Sequence, residues 1–305
     1  MSTVTAPPKT IRVALVGNPN TGKSTLFTAL AGVRQRIGNY PGVTVEKKIG
    51  HLRHEGNVFE LIDLPGTYSL APRSPDEMVA VDVLLGRGQN AQPPDVVLSI
   101  VDASNLERNL FLVSQVLSLG LPTVIALNMT DIARDRQIEI DIQALAERLG
   151  VPVVPVQANR RAGIERLKNA LIQAAAAPAG KRDNPFPAEF QRRTRELAAW
   201  LHETTSDAVP PVLVERLLLD TSGYLEAEVR SQKNGELPQT LAAARQRLAA
   251  AGSPVPAVEA MARYEWAGRT LDGVIARPES RPKTWTDAID RVLTHRWWGT
   301  LIFAL

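Results

Sequence analysis

An eight-residue segment early in the chain has the residue types and spacing to bind the phosphates of a nucleotide. Its pattern is G-x-x-x-x-G-K-[ST], and its residues are Gly17, Asn18, Pro19, Asn20, Thr21, Gly22, Lys23 and Ser24. The glycines permit a tight loop whose backbone N–H groups face phosphate, and the helix that follows directs its positive end to the same point. Lys23 supplies a charge to the outer phosphates, Ser24 offers its hydroxyl to Mg²⁺, and Thr25 is a further candidate contact. The segment therefore predicts a phosphate-binding loop.

A second motif, Asp63-Leu64-Pro65-Gly66, follows a predicted strand. Asp63 is placed to hold a magnesium-bound water, and Gly66 allows the backbone to approach the γ-phosphate. Together with Ser24, these residues predict a site for a nucleotide that is bound with Mg²⁺.

A third motif, Asn128-Met129-Thr130-Asp131, follows another predicted strand and points to the base. The Asp131 carboxylate can accept hydrogen bonds from N1–H and the exocyclic amine of guanine, a donor pattern that adenine lacks. P-loop GTPases have Asn-Lys-x-Asp at this point. Met129 stands in place of the lysine, which removes part of one wall on which the base stacks, while Asn128 and Asp131 match the motif. The expected nucleotides are therefore GTP and GDP.

The remaining base-contact loop is the weakest match. Gln157, Ala158 and Asn159 follow the sixth predicted strand, where a sequence of the Ser-Ala-Lys type is usual. We expect poorer contacts to the base there, and fast nucleotide exchange.

The elements that must position these motifs alternate along the first half of the chain, which is typical of a parallel sheet covered on both faces. The predicted strands are Ile11–Val16, Val58–Ile62, Val96–Val101, Thr123–Leu127 and Val153–Val156. The predicted helices are Lys23–Ala31, Pro75–Leu85, Leu106–Leu119, Ile142–Leu149 and Ile164–Ala175. Val45–Arg53 shows polar alternation and is predicted to be an antiparallel edge strand beside Val58–Ile62. The predicted fold class is α/β, a mostly parallel six-stranded sheet with helices on both faces.

The second half of the chain has no recurring strand pattern. Its predicted helices are Phe190–Glu203, Pro211–Leu219, Tyr224–Gln232, Leu237–Ala251 and Val255–Val274. The length of 305 residues suggests two domains, and the alanine- and proline-rich segment 176–187 is typical of a linker. The predicted divisions are a disordered N-terminus (1–10), a nucleotide-binding domain (11–176), a small all-α domain (188–275), a linker with a juxtamembrane helix (276–296) and the start of a membrane helix (297–305).

Composition limits the function classes. The net charge of +3 is too small an excess over 305 residues for a dedicated nucleic-acid surface. The absence of cysteine excludes disulfides, thiolate zinc sites, iron–sulfur clusters and a cysteine nucleophile. The apolar segment Trp297–Leu305 is too short to span a bilayer, but it suits the opening of a helix that would.

Taken together, the motifs resemble those of the FeoB-type bacterial ferrous iron transporters, in their cytoplasmic N-terminal part. The similarity rests on Gly-Asn-Pro-Asn-x-Gly-Lys at 17–23, Ile37–Glu46, Asp63–Leu70, Ala262–Tyr264 and Thr286–Leu293. It implies a Ras-like P-loop GTPase domain, a following helical domain of the GDP-dissociation-inhibitor type, and a membrane transport domain after Leu305. It also implies a location at the cytoplasmic face of the bacterial inner membrane. Tyr40 stands where the family usually has Trp, and Thr21 where Ser or Cys is frequent.

Three candidate catalytic residues, Asn20, Thr44 and Gly66, bear on hydrolysis. Thr44, in the loop after the first helix, is placed to bind Mg²⁺ and to sense the γ-phosphate. Ras-type enzymes orient the attacking water with a glutamine, but Thr67 follows Gly66 here, and we predict that it is a turn residue. GTP hydrolysis is therefore expected to be slow. Similarity to potassium-activated GTPases implies that Asn20 helps to hold K⁺ beside the phosphates; an asparagine favoured for its turn conformation is the alternative.

Other functions and partners are open at this point. One alternative is a cytosolic ribosome- or tRNA-associated GTPase, which would need an RNA-binding domain, and another is a non-catalytic, GTP-gated binding module. His51 and His54 are predicted to be a solvated pair on an exposed hairpin without an acidic partner. The resemblance implies the chain's own membrane domain as a partner and leaves room for small cytosolic Feo accessory proteins and for a homo-oligomer; no nucleic acid is expected.

Overall fold

A computed structural model describes most of the chain up to residue 277. The described residues are 10–32, 35–40, 45–71, 75–86, 92–177, 184–205, 209, 211–223, 225–226 and 235–277.

Within the described residues, seven strands form the central sheet, in the order β2-β3-β4-β1-β5-β6-β8. Their bounds are β1 Thr10–Gly17, β2 Gln35–Asn39, β3 Glu46–His54, β4 Asn57–Asp63, β5 Val96–Asp102, β6 Thr123–Asn128 and β8 Val153–Pro155. Strands β4, β1, β5, β6 and β8 run parallel, whereas β3 pairs antiparallel with β4 and β2 antiparallel with β3. A two-stranded sheet joins β7 (Glu139–Ile140) to β9 (Ile275–Ala276).

Helices cover both faces of the sheet. In the first half they are α1 Lys23–Ala31, α2 Pro75–Leu85, α3 Leu106–Ser118, α4 Thr130–Asp135, α5 Ile142–Leu149 and α6 Ile164–Ala176. Helices α1 and α6 bury apolar side chains against one face, and α2 and α3 against the other. The parallel strands are mainly apolar because both of their faces are covered. The predicted α/β class and the helices on both faces are confirmed.

The sheet has one strand more than the six predicted, because β2 was not recognised. Its sequence, Gln-Arg-Ile-Gly-Asn, is mostly polar, and it lies at the sheet edge with β3 as its one partner. An edge strand with little to bury need not show the apolar pattern on which the prediction depended. The antiparallel strand predicted over 45–53 is present as β3 and pairs with β4 as expected.

The second half of the described chain is mainly helical. Its helices are α7 Ala188–Thr205, α8 Pro211–Leu219, α9 Leu237–Ala250 and α10 Ala257–Leu271. Helices α7, α8, α9 and the first half of α10 share one apolar core. The predicted helix over 224–232 lies almost entirely outside the described residues.

The last part of α10 packs against the first half of the chain. Ala267 and Leu271 belong to the apolar core that α3 and α5 also form. Arg148 of α5 donates to the carbonyl oxygens of Arg269 (3.0 Å) and Thr270 (3.2 Å) in the final turn of α10. The β7–β9 pairing, absent from the sequence prediction, continues this attachment. We call α7–α10 the helical unit; its boundaries as a domain remain a proposal.

Across the described ranges, the structure contains no helix that combines the length and the apolar character needed to cross a bilayer. Apart from 276 and 277, the predicted juxtamembrane and membrane segments lie outside the described residues.

Candidate nucleotide-binding site

The predicted phosphate loop joins β1 to α1 at the carboxyl edge of the sheet. β1 ends at Gly17 and α1 begins at Lys23. Within the loop, the hydroxyl of Thr21 donates to the carbonyl oxygen of Asn18 at 2.9 Å, and Asn20 has φ of 67°. Asparagine tolerates this left-handed conformation better than most residues. The loop therefore gives Asn20 a structural reason to be asparagine, independent of any K⁺.

Gly22 has two reasons to be glycine. Its φ of 81° lies in the left-handed region, and a Cβ there would collide with the side-chain amide of Asn128. The phosphate loop thus sits directly against the predicted base-recognition motif, and no larger residue fits between them.

Lys23 forms an ion pair with Asp63, which lies at the end of β4. The pair is largely out of solvent, with side-chain exposures of 11% and 6%. Both residues line a pocket of about 300 Å³ with Ser24, Val45, Glu46, Lys48, Leu64 and Pro65. The structure therefore brings together the lysine, serine and aspartate that the sequence predicts to hold phosphate and Mg²⁺.

The donor set of this pocket fits Mg²⁺. Ser24 offers a hydroxyl and Asp63 a carboxylate, and Mg²⁺ prefers such oxygen ligands alongside phosphate and water. Glu46 and Lys48 also line the pocket, and the sequence prediction missed both. Lys48 stands opposite Asp63 in the β3–β4 register, so the polar alternation of the predicted edge strand could have revealed it.

Asn128 connects two loops of the site. Its Nδ2 donates to the carbonyl oxygen of Thr21 at 2.9 Å, and its Oδ1 accepts from the backbone N–H of Ala158 at 3.1 Å. Asn128 is 3% exposed, so both bonds lie out of water. Through them, the phosphate loop and the 157–159 loop are held in a fixed relation.

Asp131 and Met129 lie beside this junction. Met129 has φ of 60° and precedes α4, and Asp131 is in the first turn of that helix. The Asp131 carboxylate accepts from the N–H of Ile132 at 3.1 Å, which leaves it acceptor capacity for a base. In the adjoining loop, the side chain of Gln157 donates to the Thr130 hydroxyl at 3.4 Å, whereas Asn159 is exposed.

The segment after Asp63 lies against the phosphate loop. The backbone N–H of Thr67 donates to the carbonyl oxygen of Gly17 at 3.3 Å, and a Cβ on Gly66 would lie 3.5 Å from the backbone of Pro19. The Thr67 hydroxyl is 2.6 Å from the carbonyl oxygen of Ser69 and accepts from the Ser69 N–H. Thr67 is therefore a turn residue, as predicted.

Thr44 lies outside the described residues, so its proposed magnesium contact rests on the sequence. The described residues on either side of positions 41–44, Tyr40 and Val45, are joined by a backbone hydrogen bond of 3.0 Å. Burial raises the pKa of the Tyr40 phenol above its ordinary value, and the nearby Asp63 carboxylate raises it further. Tyr40 is thus a neutral side chain close to Asp63.

The expectation that His51 and His54 lack acidic partners is wrong. His51 lies 3.9 Å from a carboxylate oxygen of Glu60 on β4, and His54 lies 3.6 Å from Glu165 and 2.6 Å from the Asn169 amide oxygen. The strand register and the packing of α6 create these contacts, which local sequence does not show. The described residues contain no group of three or more His, Cys, Asp or Glu side chains that could together hold a metal ion.

A buried polar cluster links α3, α8 and α10, and the sequence analysis missed it. One oxygen of Glu259 accepts hydrogen bonds from Gln115 (2.8 Å), Arg216 and Arg263 (2.8 Å). Burial opposes ionisation of Glu259, but the two arginines outweigh it and lower its pKa to about 2. Burial lowers the pKa of Arg263 to about 10. The sequence offered one signal of this cluster, the polar residue Gln115 on the apolar stripe of the predicted helix 106–119.

A family model places the first half of the chain among known proteins. The model described as "Ferrous iron transport protein B" matches residues 11–171. The chain is also similar to the protein called "Fe(2+) transporter FeoB" in Salmonella typhi and in Escherichia coli K12, with 38% identity to each over 300 residues. The aligned region is 97% of this chain, and the chain spans 37% of the length of those relatives.

Solved structures match the same region. The cytosolic domain of L. pneumophila FeoB superposes with a TM-score of 0.73 at 31% identity, over 87% of this chain and 100% of that one. A mutant of S. thermophilus NFeoB bound to GDP gives 0.74 at 30% identity, over 87% and 100%. The GMPPNP form of the T. maritima FeoB cytosolic domain gives 0.71 at 28%, over 87% and 99%. The fold is therefore that of a P-loop GTPase.

Proposed function

The chain belongs to the ferrous iron transport protein B family, and from that premise we propose that it is a GTP-hydrolysing regulatory module of a bacterial Fe²⁺ uptake transporter. Its nucleotide state would control a membrane transport domain in the same polypeptide. Relatives named as Fe²⁺ transporters, of which this chain spans 37%, support the proposal. So do the GDP and GMPPNP forms of similar domains.

The observation that carries the proposal is the double hydrogen bond of Asn128. This one amide fixes both the phosphate loop, at Thr21, and the 157–159 loop, at Ala158. Asp131 lies three residues further along, on the first turn of α4, where its carboxylate suits the N1–H and amine donors of guanine. The arrangement supports selection of GTP and GDP over adenine nucleotides.

We infer that Mg²⁺ is held by Ser24, Asp63 and Thr44, and that it would neutralise charge on the β- and γ-phosphates. Lys23 would pair with phosphate oxygens. Among the residues around Gly66, none supplies the glutamine that orients water in Ras-type enzymes, and the Thr67 hydroxyl is engaged by Ser69. Turnover is therefore proposed to be slow, with K⁺ near Asn20 supplying further positive charge.

The location and partners follow from the same premise. The module would lie at the cytoplasmic face of the inner membrane, beside its own transport domain, with small Feo accessory proteins and a second copy as further partners. We propose no nucleic-acid partner, because the net charge of +3 supplies no basic surface.

Phosphate release by the 305-residue chain tests the proposal. With Mg²⁺ and KCl, the chain should release phosphate from GTP over hours and not from ATP, and Lys23→Met should abolish release. Arg134→Met, on the exposed side of α4, is the matched control and should leave the rate unchanged. GTP binding without turnover would favour a passive binding module, and hydrolysis stimulated by RNA would favour the ribosome-associated alternative; either result would contradict the proposal.

A further inference from the structure

One buried amide joins the segment that follows the second nucleotide motif to the helical unit. Gln115 lies on α3 and is 1% exposed. Its Oε1 accepts from the backbone N–H of Leu70 at 2.7 Å. Its Nε2 donates to the Ser69 hydroxyl at 3.0 Å and to Glu259 of α10 at 2.8 Å. All three contacts are made by one side chain, so its orientation depends both on the segment that contains Ser69 and Leu70 and on Glu259 of α10.

The α10 side of this junction is held by buried charge. Glu259 pairs with Arg216 and Arg263, and Arg263, which is 0% exposed, donates to the hydroxyls of Ser114 (3.1 Å) and Ser118 (3.2 Å) on α3. Buried charges are costly unless they are paired and hydrogen-bonded. The carboxylate that Gln115 contacts is therefore fixed in place, and it cannot shift without breaking ion pairs.

The other side of the junction leads to the phosphates. Leu70 and Ser69 follow the Thr67 turn, whose N–H is bonded to Gly17 of the phosphate loop. In GTPases, the segment after the Asp-x-x-Gly motif is ordered by γ-phosphate and released after hydrolysis. Movement of this segment would change the position of the Leu70 N–H and the Ser69 hydroxyl, which are the groups that Gln115 holds.

We propose that Gln115 is the positioning residue that couples the 66–70 segment to the helical unit, so that nucleotide state changes the packing of α10. The inference rests on the proposed GTP-dependent function and adds the residue through which it acts. Coupling between two sites is reciprocal. Reciprocity means that the nucleotide changes the equilibrium between packed and displaced α10 by a certain factor. Packing of α10 through the cluster around Glu259 must then change nucleotide affinity by the same factor.

A double-mutant cycle on the 305-residue chain tests the coupling. Gln115→Met keeps the side-chain shape and removes the hydrogen bonds, and Glu259→Gln removes the charge from the other partner. We expect each single variant to release a fluorescent GDP analogue about 5- to 20-fold faster than the native chain, which is the lower part of the range of affinity changes that such couplings give. The double variant should release it no faster than the faster single variant. Multiplying effects would mean that the residues act independently and would overturn the proposal.

Control variants separate coupling from stability. Gln143→Met makes the same substitution at an exposed position on α5 and should change nothing. The pair Ser114→Ala and Ser118→Ala removes the hydroxyls that bind Arg263 but leaves the contacts of Gln115. It should lower thermal stability with less than about a 2-fold effect on release, below the coupled range. If Gln115→Met does not fold, Ser69→Ala breaks one bond of the same junction.

Hydrogen exchange gives a readout that a merely structural role would not change. In the native chain, amides of α10 should differ in protection between the GDP and GMPPNP states, and in Gln115→Met this difference should vanish while both nucleotides still bind. An unchanged difference in the variant, or none in the native chain, would refute the coupling and leave the proposed GTPase function standing. Failure of the native chain to bind either nucleotide would refute both.

Discussion

The side-chain amide of Asn128 donates to the backbone carbonyl of Thr21 at 2.9 Å, across 107 positions of sequence. The same side chain accepts from Ala158, so a residue predicted to recognise the base also holds the phosphate loop. The predicted base-recognition motif and the predicted phosphate loop thus share one structural support, the side chain of Asn128.

Replacing Asn128 should affect both nucleotide affinity and folding. Asn128→Ala leaves the Thr21 carbonyl and the Ala158 N–H buried without their partner, which should lower the free energy of unfolding by about 2 kcal/mol. GDP affinity should fall by more than about 10-fold, since the two loops lose their fixed relation. Calorimetric titration and urea unfolding measure the two effects. Asn105→Ala, at an exposed asparagine just before α3, is the control, and an equal loss there would contradict this role for Asn128.

The site could be predicted from sequence wherever a motif fixes its own geometry. Lys23, Asp63 and Asn128 lie at one edge of the sheet as expected, because Asp63 and Asn128 end parallel strands and Lys23 follows the loop after another. The sequence marks Lys48 by the polar alternation of its strand and Gln115 by its place on an apolar helix stripe, but it does not show what either residue contacts. Their positions depend on strand register and on the packing of α3 against α10, which bring together residues far apart in the chain.

Removing one partner of the Lys23–Asp63 ion pair should lower the free energy of unfolding more than removing both partners. Lys23→Met leaves a carboxylate that is 6% exposed without its partner, and this should destabilise the nucleotide-free chain by about 3 kcal/mol. Adding Asp63→Asn should recover most of that loss. Urea unfolding of the four chains measures the cycle. A double variant less stable than Lys23→Met alone would show that the pair does not act in this way.

Asp131 should determine which base is bound. Asp131→Asn replaces an acceptor with a group that can also donate, which mismatches guanine but suits the C2 carbonyl of xanthine. GDP affinity should fall about 100-fold, the loss expected from two charge-assisted hydrogen bonds, and xanthosine diphosphate should bind better than GDP. Competition titrations with both nucleotides test the exchange. Unchanged preference for GDP would mean that Asp131 does not contact the base.

Two substitutions at Asn20 distinguish a K⁺ ligand from a turn residue. Asn20→Ala strains a backbone with φ of 67°, whereas Asn20→Gly accepts that conformation and also lacks the amide oxygen. If Asn20 binds K⁺, GTP turnover of the native chain should be faster in KCl than in NaCl, and both variants should lose the difference. A K⁺ response that survives in Asn20→Gly would assign the asparagine to the turn alone.

The charge of Glu259 should make stability pH-dependent in acid. Its pKa is lowered from 4.5 to about 2 by Arg216 and Arg263 against the effect of burial. Its stabilising contribution is therefore complete above pH 4.5 and is lost as the pH falls towards 2. The native chain should unfold more easily across this interval, whereas Glu259→Gln, already less stable at neutral pH, should change less. Urea unfolding from about pH 5 to about pH 3 measures the difference in free energy of unfolding between the native chain and Glu259→Gln. A difference that stays constant over this interval would contradict this account.

The pairing of β7 with β9 returns the chain to the α/β layers after the helical unit. The chain leaves the α/β layers after α6 and returns at Ile275, where the carbonyl of Val274 accepts from Asp141 and Arg148 secures the preceding helix end. The end of the helical unit is therefore attached to the α/β layers by hydrogen bonds as well as by the covalent chain. β7 also lies four residues after α4, the helix that carries Asp131. The β7–β9 pairing therefore joins the end of the helical unit to the segment that follows the predicted base-recognition motif.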